Sequence, residues 1–599
     1  MEDNILFYDI EVFKHQSCVV FKDIQGDTVR IFTNNLSGLG EYIDKGVITE
    51  CGYEALGEFI RDKTLVGYNN YWYDDYVLYA MSCELKSNVE KYRQSMIKGY
   101  NDTIISDGDK RSLKRVDIRT YDCFQQIDVG RPSLKKIEGN MGRSVIESVV
   151  DFNMERPLTP AENLETVKYC EYDVKMTIEV WKMRKEYFKS KKEVANMLGE
   201  NLREKAYRWN TTSIVGQLVK WTNGTEPTDG QIGQWDKFDY VPEEVGEMWR
   251  QLDDRRFRMN GYKFKKKKVK IEEFGNIIEF GWGGLHGAPK GFIYRENVKL
   301  LDVGSMYPNI LINLRGLGDK TDYYKNILDH RLELKHQGKK EEQAPLKLIL
   351  NSTYGLLNNQ YSQLNRPTLA YNICIYGQIS LYTLARRLGS IGCDIININT
   401  DGVAFTGGDD EEVKAVRKSW EKEFNLTLEL DKFKKWWQKD VNNYVALTDK
   451  DKIKVKGADV NRYFGDTTFK SMDILIVHKA LVDKLVYGKS FEDTLLDNLD
   501  KPELFQYVLQ AGRTYKGTYD NEGNKYNKVN RVFACKEGNF QLFKVKETSD
   551  GVISKAKFAN APDKMFLWNE DVKDLKNFKE IIDLQWYYDL ITNIYKRWN

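Results

Sequence analysis

Cysteine is scarce and scattered in this chain: eight residues in 599, with no Cys-x-x-Cys pair. That argues against zinc ribbons, iron–sulfur clusters and a disulfide framework, and for a reducing compartment, the cytoplasm. Long apolar runs are missing too. No stretch approaches the roughly 20 residues of a membrane helix. The N-terminus has no basic region followed by an apolar one, so neither a span nor a signal peptide is expected. No internal repeat or low-complexity tract interrupts the chain. An excess of one charge is also missing: 91 Lys and Arg against 89 Asp and Glu leave a net +2. Nucleic-acid binding therefore cannot rest on the total; it needs a local basic channel balanced by acid elsewhere.

What is present is ordinary globular material, 41% hydrophobic and 30% charged. The chain is too long for one core, so three to five subdomains are expected. The 13 Trp and 36 Tyr suit base stacking, although core packing accounts for most of them. Ile5–Ile10, Cys18–Phe21 and Thr28–Phe32 read as strands, and Leu164–Ser190 as a helix, with mixed stretches between, an α/β pattern. Residues 190–300 are mixed, with a basic run Lys263–Lys270, read by default as a solvated strand face, and a Gly-rich turn Gly281–Gly287. A strand from Leu300 carries Asp302. Tyr323–Lys335 and Ala344–Leu357 read as helices joined by a charged loop. Asp394–Asn399, a turn at Thr400–Gly402 and Val403–Phe405 make a β-hairpin. Residues 460–599 are mixed and end in a helix, Phe578–Trp598.

Two groups of residues carry chemistry. In the first, Asp9 and Glu11 flank Ile10 on a strand, so both carboxylates face one side. Asn70-Tyr-Trp-Tyr-Asp74 follows in a loop or helix start. Tyr169 and Asp173 come later at i, i+4 on a helix, hydroxyl beside carboxylate. If they converge, Asp9, Glu11, Asp74 and Asp173 hold two divalent cations, one generating hydroxide and one steadying a leaving 3′-oxygen. Tyr169 would orient the attacking water. Each has a plainer reading alone: a solvated strand face for Asp-x-Glu, a core-edge tyrosine for Tyr169, a turn residue for Asn70.

In the second group, Asp302 on its strand and Asp401 at a hairpin tip are a pair for two Mg²⁺ ions, which would lower the pKa of a 3′-hydroxyl and hold a triphosphate. Lys347, Asn351 and Tyr354 fall at i, i+4 and i+7 of a helix, presenting a cation, an amide and a ring on one face. Lys347 would neutralise developing phosphate charge. Tyr307 would sit under the sugar and exclude a 2′-hydroxyl. Asn351, Tyr354 and Gly355 would wall the nascent base pair, the glycine admitting the template backbone. Arg331 and Lys335, also i, i+4, either extend the cationic face or form a charged outer helix face.

The ordered set Asp-x-Glu, Asn-x-x-x-Asp and Tyr-x-x-x-Asp resembles the three exonuclease motifs in the proofreading domain of family B DNA polymerases. That resemblance implies Asp9, Glu11, Asp74 and Asp173 as metal ligands, Tyr169 as the residue holding the water, and Asn70 in contact with a single-stranded 3′ end. Asp75 is the alternative to Asp74, which is preferred because the family places the acid four after the Asn. Lys135 or Lys136 resembles a lysine that some members use near the scissile phosphate; a solvated helix lysine is the plainer reading. Asp302 to Pro308, Lys347 to Gly355 and Asn399 to Gly402 resemble the polymerase motifs Asp-x-x-Ser-Leu-Tyr-Pro, Lys-x-x-x-Asn-Ser-x-Tyr-Gly and Asp-Thr-Asp-Ser of the same family. Met306 replaces the usual Leu. The third motif departs: Asn399 and Gly402 stand where Asp and Ser are usual, while the direct metal ligand remains as Asp401. The loss of one negative charge at Asn399 is expected to affect metal preference or rate. Val303 joins Asp302 and Asp401 as a metal-site residue. Asn442-Asn-Tyr444 looks like the Lys-x-Tyr element that grips the primer, its lysine replaced, and Lys454-Val-Lys456-Gly457 resembles the basic step after it. Gly281-Trp-Gly-Gly284 is similar to the Tyr-x-Gly-Gly element linking the two active sites.

The resemblance implies an α/β and α+β multidomain chain, an RNase H-like exonuclease followed by a right-hand polymerase. Its expected boundaries are exonuclease 1–190, a connecting region 191–295, palm 296–315 and 365–460, fingers 316–364, and thumb with C-terminal region 461–599. In the last, Arg513, Lys516, Lys525, Lys528 and Arg531 around Tyr515 and Tyr526 are a candidate duplex-binding surface, or else a charged hairpin in solvent. The implied activity is primer extension with 3′→5′ proofreading in DNA replication, using two Mg²⁺ per site with Mn²⁺ as a substitute. The implied partners are primer–template DNA, a single-stranded 3′ end, deoxynucleoside triphosphates, and a processivity factor, helicase or single-strand-binding protein, with no membrane and a monomeric chain. The intervals between motifs leave no room for the insertions of protein-primed enzymes, so a small phage-type replicase working in its host's cytoplasm is expected. The alternative is a catalytically weakened relative that binds DNA or acts only as a nuclease.

Overall fold

The computed structural model describes residues 4–85, 89, 91–106, 108–128, 130–227, 241–250, 268–465, 468–469, 473–512, 514–547 and 553–599. Lys263 to Lys267 of the basic run, and Arg513, lie outside them. The chain is a mixed α/β, multidomain protein. It divides into two compact units, the first made of Met1–Asn210, Thr467–Asp473 and Lys501–Asp583, the second of Thr211–Asp466, Ile474–Asp500 and Leu584–Asn599.

The first unit is built on a five-stranded sheet of β1 (Ile5–Val12), β2 (Ser17–Lys22), β3 (Thr28–Thr33), β4 (Thr64–Gly67) and β5 (Thr120–Asp122), in the order β3-β2-β1-β4-β5. The central strand β1 runs antiparallel to β2 and parallel to β4. Its alternation sends Leu6, Tyr8, Ile10 and Val12 into one core with Val77 and Leu78. Phe7, Asp9 and Glu11 take the other face. Helices α1 (Asp74–Ser82), α2 (Leu134–Asn140), α3 (Pro160–Met183) and α4 (Lys185–Asn196) belong to this unit. Helix α3 covers the second face of β1, where Trp181 meets Phe7 edge-on at 6.0 Å between ring centroids. It starts before the expected Leu164 because Thr159 and Glu162 form a capping box with Pro160 in the first turn. It stops at Arg184, whose guanidinium donates to the carbonyls of Cys123, Gln125 and Gln126, so the expected Leu164–Ser190 helix is two helices.

Residues 461–599, expected as one block, are shared between the units. The segment 501–583 folds with 1–210: Val508 and Val529 bury against Val145. Arg531, expected on a duplex-binding surface, is fully buried. Its guanidinium donates to the carbonyls of Gly139 at 3.1 Å, Arg143 at 2.6 Å and Glu570 at 2.6 Å, which corrects that expectation: the charge is used up inside the protein.

The second unit holds an antiparallel sheet of β6 (Val269–Glu273), β7 (Asn276–Phe280), β8 (His286–Pro289), β9 (Ile293–Val303), β10 (Asp394–Asn399), β11 (Gly402–Thr406), β12 (Leu428–Asp440), β13 (Asn443–Thr448) and β14 (Ile453–Lys456). Their order is β14-β13-β12-β9-β11-β10-β8-β7-β6. The expected hairpin is β10–β11, with Asn399 opposite Gly402 across Thr400 and Asp401. Thr400 turns through a left-handed φ of 61°, the strained conformation a two-residue hairpin loop imposes. Helices α5 (Met306–Asn313), α6 (Thr321–His336), α7 (Lys340–Leu357) and α8 (Pro367–Ser390) complete the part that concerns the site. Helix α7 begins ahead of the expected Ala344, with Glu341 and Glu342 in its first turn, where the helix dipole favours acids. The expected terminal helix is interrupted after Ile581 and resumes at Leu584. Among the described residues no helix is long and apolar enough to cross a membrane.

Candidate active sites

In the first unit, the alternation of β1 aims Asp9 and Glu11 at α3, on which Cys170, Asp173 and Thr177 share a face at i, i+3 and i+7. Carboxylate oxygens of Asp9 and Glu11 and the sulfur of Cys170 lie within 4.8 Å of one another. The Cys170 thiol donates to the Asp9 carbonyl at 3.3 Å. One turn on, Asp173 is paired with Lys135 of α2, and Tyr169 lies four residues before it on the same helix face. The Lys135 ammonium also stands 4.6 Å from the centroid of the Tyr169 ring and 3.3 Å from Glu138. Glu138 is fully buried, so Lys135 lies between two carboxylates. Of the two candidate lysines, it is Lys135 that enters this cluster.

Burial lifts the pKa values of Asp9 and Glu11 well above the usual carboxylate range. The charge of Asp173 adds to the rise at Asp9, that of Asp9 to the rise at Glu11, and Lys135 opposes both. Asp74, in the first turn of α1, is raised by burial and then by Asp9. The four expected carboxylates therefore share one electrostatic field. Asp75 does not face that cluster. It is fully buried and accepts from the hydroxyl of Tyr8 at 2.7 Å, the amide of Asn70 at 2.9 Å and the hydroxyl of Thr120 at 2.9 Å. Asn70, expected against a DNA end, is itself 0% exposed and holds Asp75 instead. Cys170 and Glu138 were not expected here. Cys170 stands three before Asp173 on the same helix, a spacing that marks a shared face; nothing local marks Glu138.

In the second unit, Asp302 near the end of β9 is flanked by Gly402 of β11 and Glu429 of β12. The N–H of Val303 donates to the Asp401 carbonyl at 2.7 Å, which ties the hairpin tip to that strand end. Burial, then the charges of Asp401, Glu429 and Asp431, push Asp302 up to about 7, against the opposing Lys454. Asp401 is exposed and raised by burial of its carboxylate, with Lys456 opposing. Glu429 and Asp431 were not expected: their alternation is visible, but their strand partner is not. Tyr444 of β13 lies over Trp436, rings stacked at 4.3 Å, and burial followed by Asp302 and Asp401 pushes its hydroxyl up to about 12.

Two glycines allow close approach. A Cβ on Gly402 would stand 3.0 Å from a carboxylate oxygen of Asp302, so the missing side chain leaves that oxygen its place. A Cβ on Gly284 would fall 2.7 Å from the Thr400 backbone. The Gly-rich turn thus packs under the hairpin, where the Leu285 carbonyl accepts from the Thr400 N–H at 2.9 Å. Gln378 of α8 holds the turn through the carbonyls of Gly281 and Gly283, both at 2.7 Å.

On α7, Lys347, Asn351 and Gly355 are all exposed, and among the described residues Lys347 makes no hydrogen bond or ion pair. Tyr354 is half-buried; its ring stacks on Tyr307 at 4.5 Å and 15°, and its hydroxyl is 2.7 Å from the Cys374 sulfur. Of the expected cations on α6, Arg331 donates to the Ser305 hydroxyl at 2.9 Å and Lys335 pairs with Glu429 at 2.7 Å.

No family model matches the chain. It is similar to DNA polymerase 2 of Aeropyrum pernix, 23% identical over 275 residues, which cover 37% of this chain and 34% of that protein. The chain thus spans about a third of the length of the curated relative it matches. Among solved structures, the family B DNA polymerase from the hyperthermophilic archaeon Pyrobaculum calidifontis aligns over 99% of this chain and 78% of its own, at 14% identity and a TM-score of 0.43.

Proposed function

We propose that this chain is a template-directed DNA polymerase that adds deoxynucleotides to a primer 3′ end, with a 3′→5′ proofreading exonuclease in its first unit. The observation that carries the reading is the placing of Asp302 beside Asp401 at one strand end, where burial and then the neighbouring acids push Asp302 up to about 7. A pocket of repelling carboxylates fits divalent cations, Mg²⁺ or Mn²⁺ as its substitute. Asp302, Asp401 and the Val303 carbonyl would hold them in the second unit, and Asp9, Glu11, Asp74 and Asp173 in the first. Bound there, the cations would activate a 3′-hydroxyl or a water and stabilise the leaving oxygen.

The chain's own residues bind and orient. Lys347, exposed and unpaired among the described residues, takes the triphosphate. Tyr307, fixed by its stack on Tyr354, lies under the sugar and excludes a 2′-hydroxyl. Asn351, Tyr354 and Gly355 face the new base pair, and Tyr444 with Lys456 grips the primer. In the first unit, Tyr169 holds the water against Asp173 while Lys135 supplies the local positive charge. On this reading palm is 296–315 with 365–460, fingers 316–364 and the exonuclease 1–190. The partners are primer–template DNA, a single-stranded 3′ end and deoxynucleoside triphosphates.

Mg²⁺-dependent primer extension on a defined template, read beside degradation of a labelled single strand, tests both activities. A wild type that degrades single strands and incorporates nothing removes the polymerase. Tyr307→Ala should gain use of ribonucleotides; unchanged discrimination removes its role under the sugar.

A further inference from the structure

We propose that Asn399 and Asn442 are one coupled neutral pair that positions the hairpin carrying Asp401; the reading of that hairpin as catalytic rests on the function proposed above. These are two of the places where the chain departs from the polymerase patterns it resembles, an acid missing at 399 and a lysine at 442. They lie far apart in sequence, yet they touch. The Asn399 amide donates to the Val441 carbonyl at 2.7 Å and to the Asn442 side-chain oxygen at 3.3 Å. The other end of Asn399 accepts from the Thr400 hydroxyl at 3.2 Å. Asn397, two residues earlier on the same face of β10, donates to the Val441 carbonyl at 3.1 Å and to Gln438 at 2.7 Å. The turn between β12 and β13 is thereby clamped to the strand that ends at Thr400 and Asp401.

The chemistry at the two positions is interdependent. Asn399 is 8% exposed, so its polar atoms need partners in the protein. A carboxylate at 399 has no donor. It would stand against the Val441 carbonyl, and the Asn442 amide would have to turn over to donate to it. A lysine at 442 facing Asn399 would bring donors against the Asn399 amide hydrogens. Acid and lysine together satisfy each other, and the ammonium can also donate to Val441. Two neutral amides or an acid–base pair satisfy the contacts as placed; in the mixed states an amide has to turn over, and an acid at 399 still faces the Val441 carbonyl. Either matched pair carries no net charge. Asn399 is then half of a compensated exchange rather than a sign of lost activity.

The test is a double-mutant cycle on the full chain: Asn399→Asp, Asn442→Lys and the two combined, with Asn399→Asp/Asn442→Asp as the like-charge control. Each single substitution should lower the thermal midpoint and cut kcat for primer extension by about tenfold, with the KM for the nucleotide little changed. The acid–lysine double should recover most of both losses, and the double aspartate should fall below either single. Additive losses in the acid–lysine double would overturn the coupling. If the wild type extends no primer, the polymerase reading fails, while the thermal cycle still decides whether the pair is coupled.

Discussion

The two carboxylate clusters are built in opposite ways. In the first unit the acids stand inside the fold, between the central strand β1 and helix α3, and their compensating cation, Lys135, is enclosed with them beside the fully buried Glu138. In the second unit the acids stand at a strand end and a hairpin tip, Asp401 is exposed, and Lys335, Lys454 and Lys456 ring them from the surface. An enclosed cluster is part of what the fold must satisfy to exist, and on the proposed reading it takes a thin substrate such as a frayed strand. On the proposed reading, an open cluster takes a duplex and a triphosphate, and its repulsion is borne by the surface. Removing the enclosed cation of the first should cost stability as well as chemistry; removing a surface cation of the second should leave stability as it is.

The largest effects break one cluster and spare the other. Asp401→Ala should lower primer extension by at least the roughly 10²–10³-fold that one lost transition-state contact costs, with single-strand degradation intact. Asp9→Ala should do the reverse. Parallel assays of the two activities decide: a variant that loses both shows that the sites are not independent, and degradation that persists in Asp9→Ala removes the exonuclease assignment.

The enclosed cation is the next test. Lys135→Met leaves Glu138 and Asp173 without their shared partner, a loss on the order of 3–5 kcal/mol for a broken buried pair, readable as a lower denaturant midpoint. Removing Lys335, 40% exposed on its side chain, should leave the midpoint unchanged. Equal midpoints for the two variants would erase the contrast between the clusters.

Within the first unit, neighbouring acids should separate by role. Asp75→Ala strands the donors of Tyr8, Asn70 and Thr120, at about 1–3 kcal/mol for each buried group left unsatisfied, and should destabilise the unit. Asp74→Ala removes a repelled carboxylate and should leave stability unchanged or higher while degradation is lost. An Asp75→Ala protein as stable as the wild type would contradict the hydrogen-bond assignment.

The strands Ile5–Ile10 and the Asp394–Phe405 hairpin were legible, because short runs rich in β-branched and aromatic residues bounded by turn residues report strands. The exposed face of Lys347 and Asn351 was legible from its helical spacing. Asp74 against Asp75 was not decidable locally: partners from β1 and β5 take one carboxylate and leave the other toward the cluster. Glu429 shows the same limit. Its alternation is visible, but only the pairing of β12 with β9 sets it beside Asp302. Arg531 reads as a surface cation until the folding of 501–583 with the first unit closes carbonyls around it. The departure at Asn399 reads as a defect until Val441 and Asn442 are seen beside it.

The smallest effect is a pH dependence peculiar to the open cluster. Asp302 is pushed up to about 7 in the folded protein, against roughly 3.9 in an unfolded chain. Between those values the folded state holds a proton that the unfolded state has released, so its contribution to stability falls as pH rises through that window. Below pH ~4 both states are protonated and the residue contributes no pH dependence; above about 7 both are ionised and the penalty is constant. Asp302→Asn removes this titration. In chelator-treated protein its thermal midpoint should match the wild type near pH 4, exceed it increasingly up to neutrality, and stay level beyond. Because Asp302 is only half-buried, solvent screening keeps the rise modest. Adding Mg²⁺ should stabilise the wild type more than the variant and close the gap, since a cation relieves the same repulsion that the substitution removes. A gap that is the same at pH 4 and pH 8 would show that neither burial nor the neighbouring acids raise Asp302, and the cluster would lose its claim to a divalent ion.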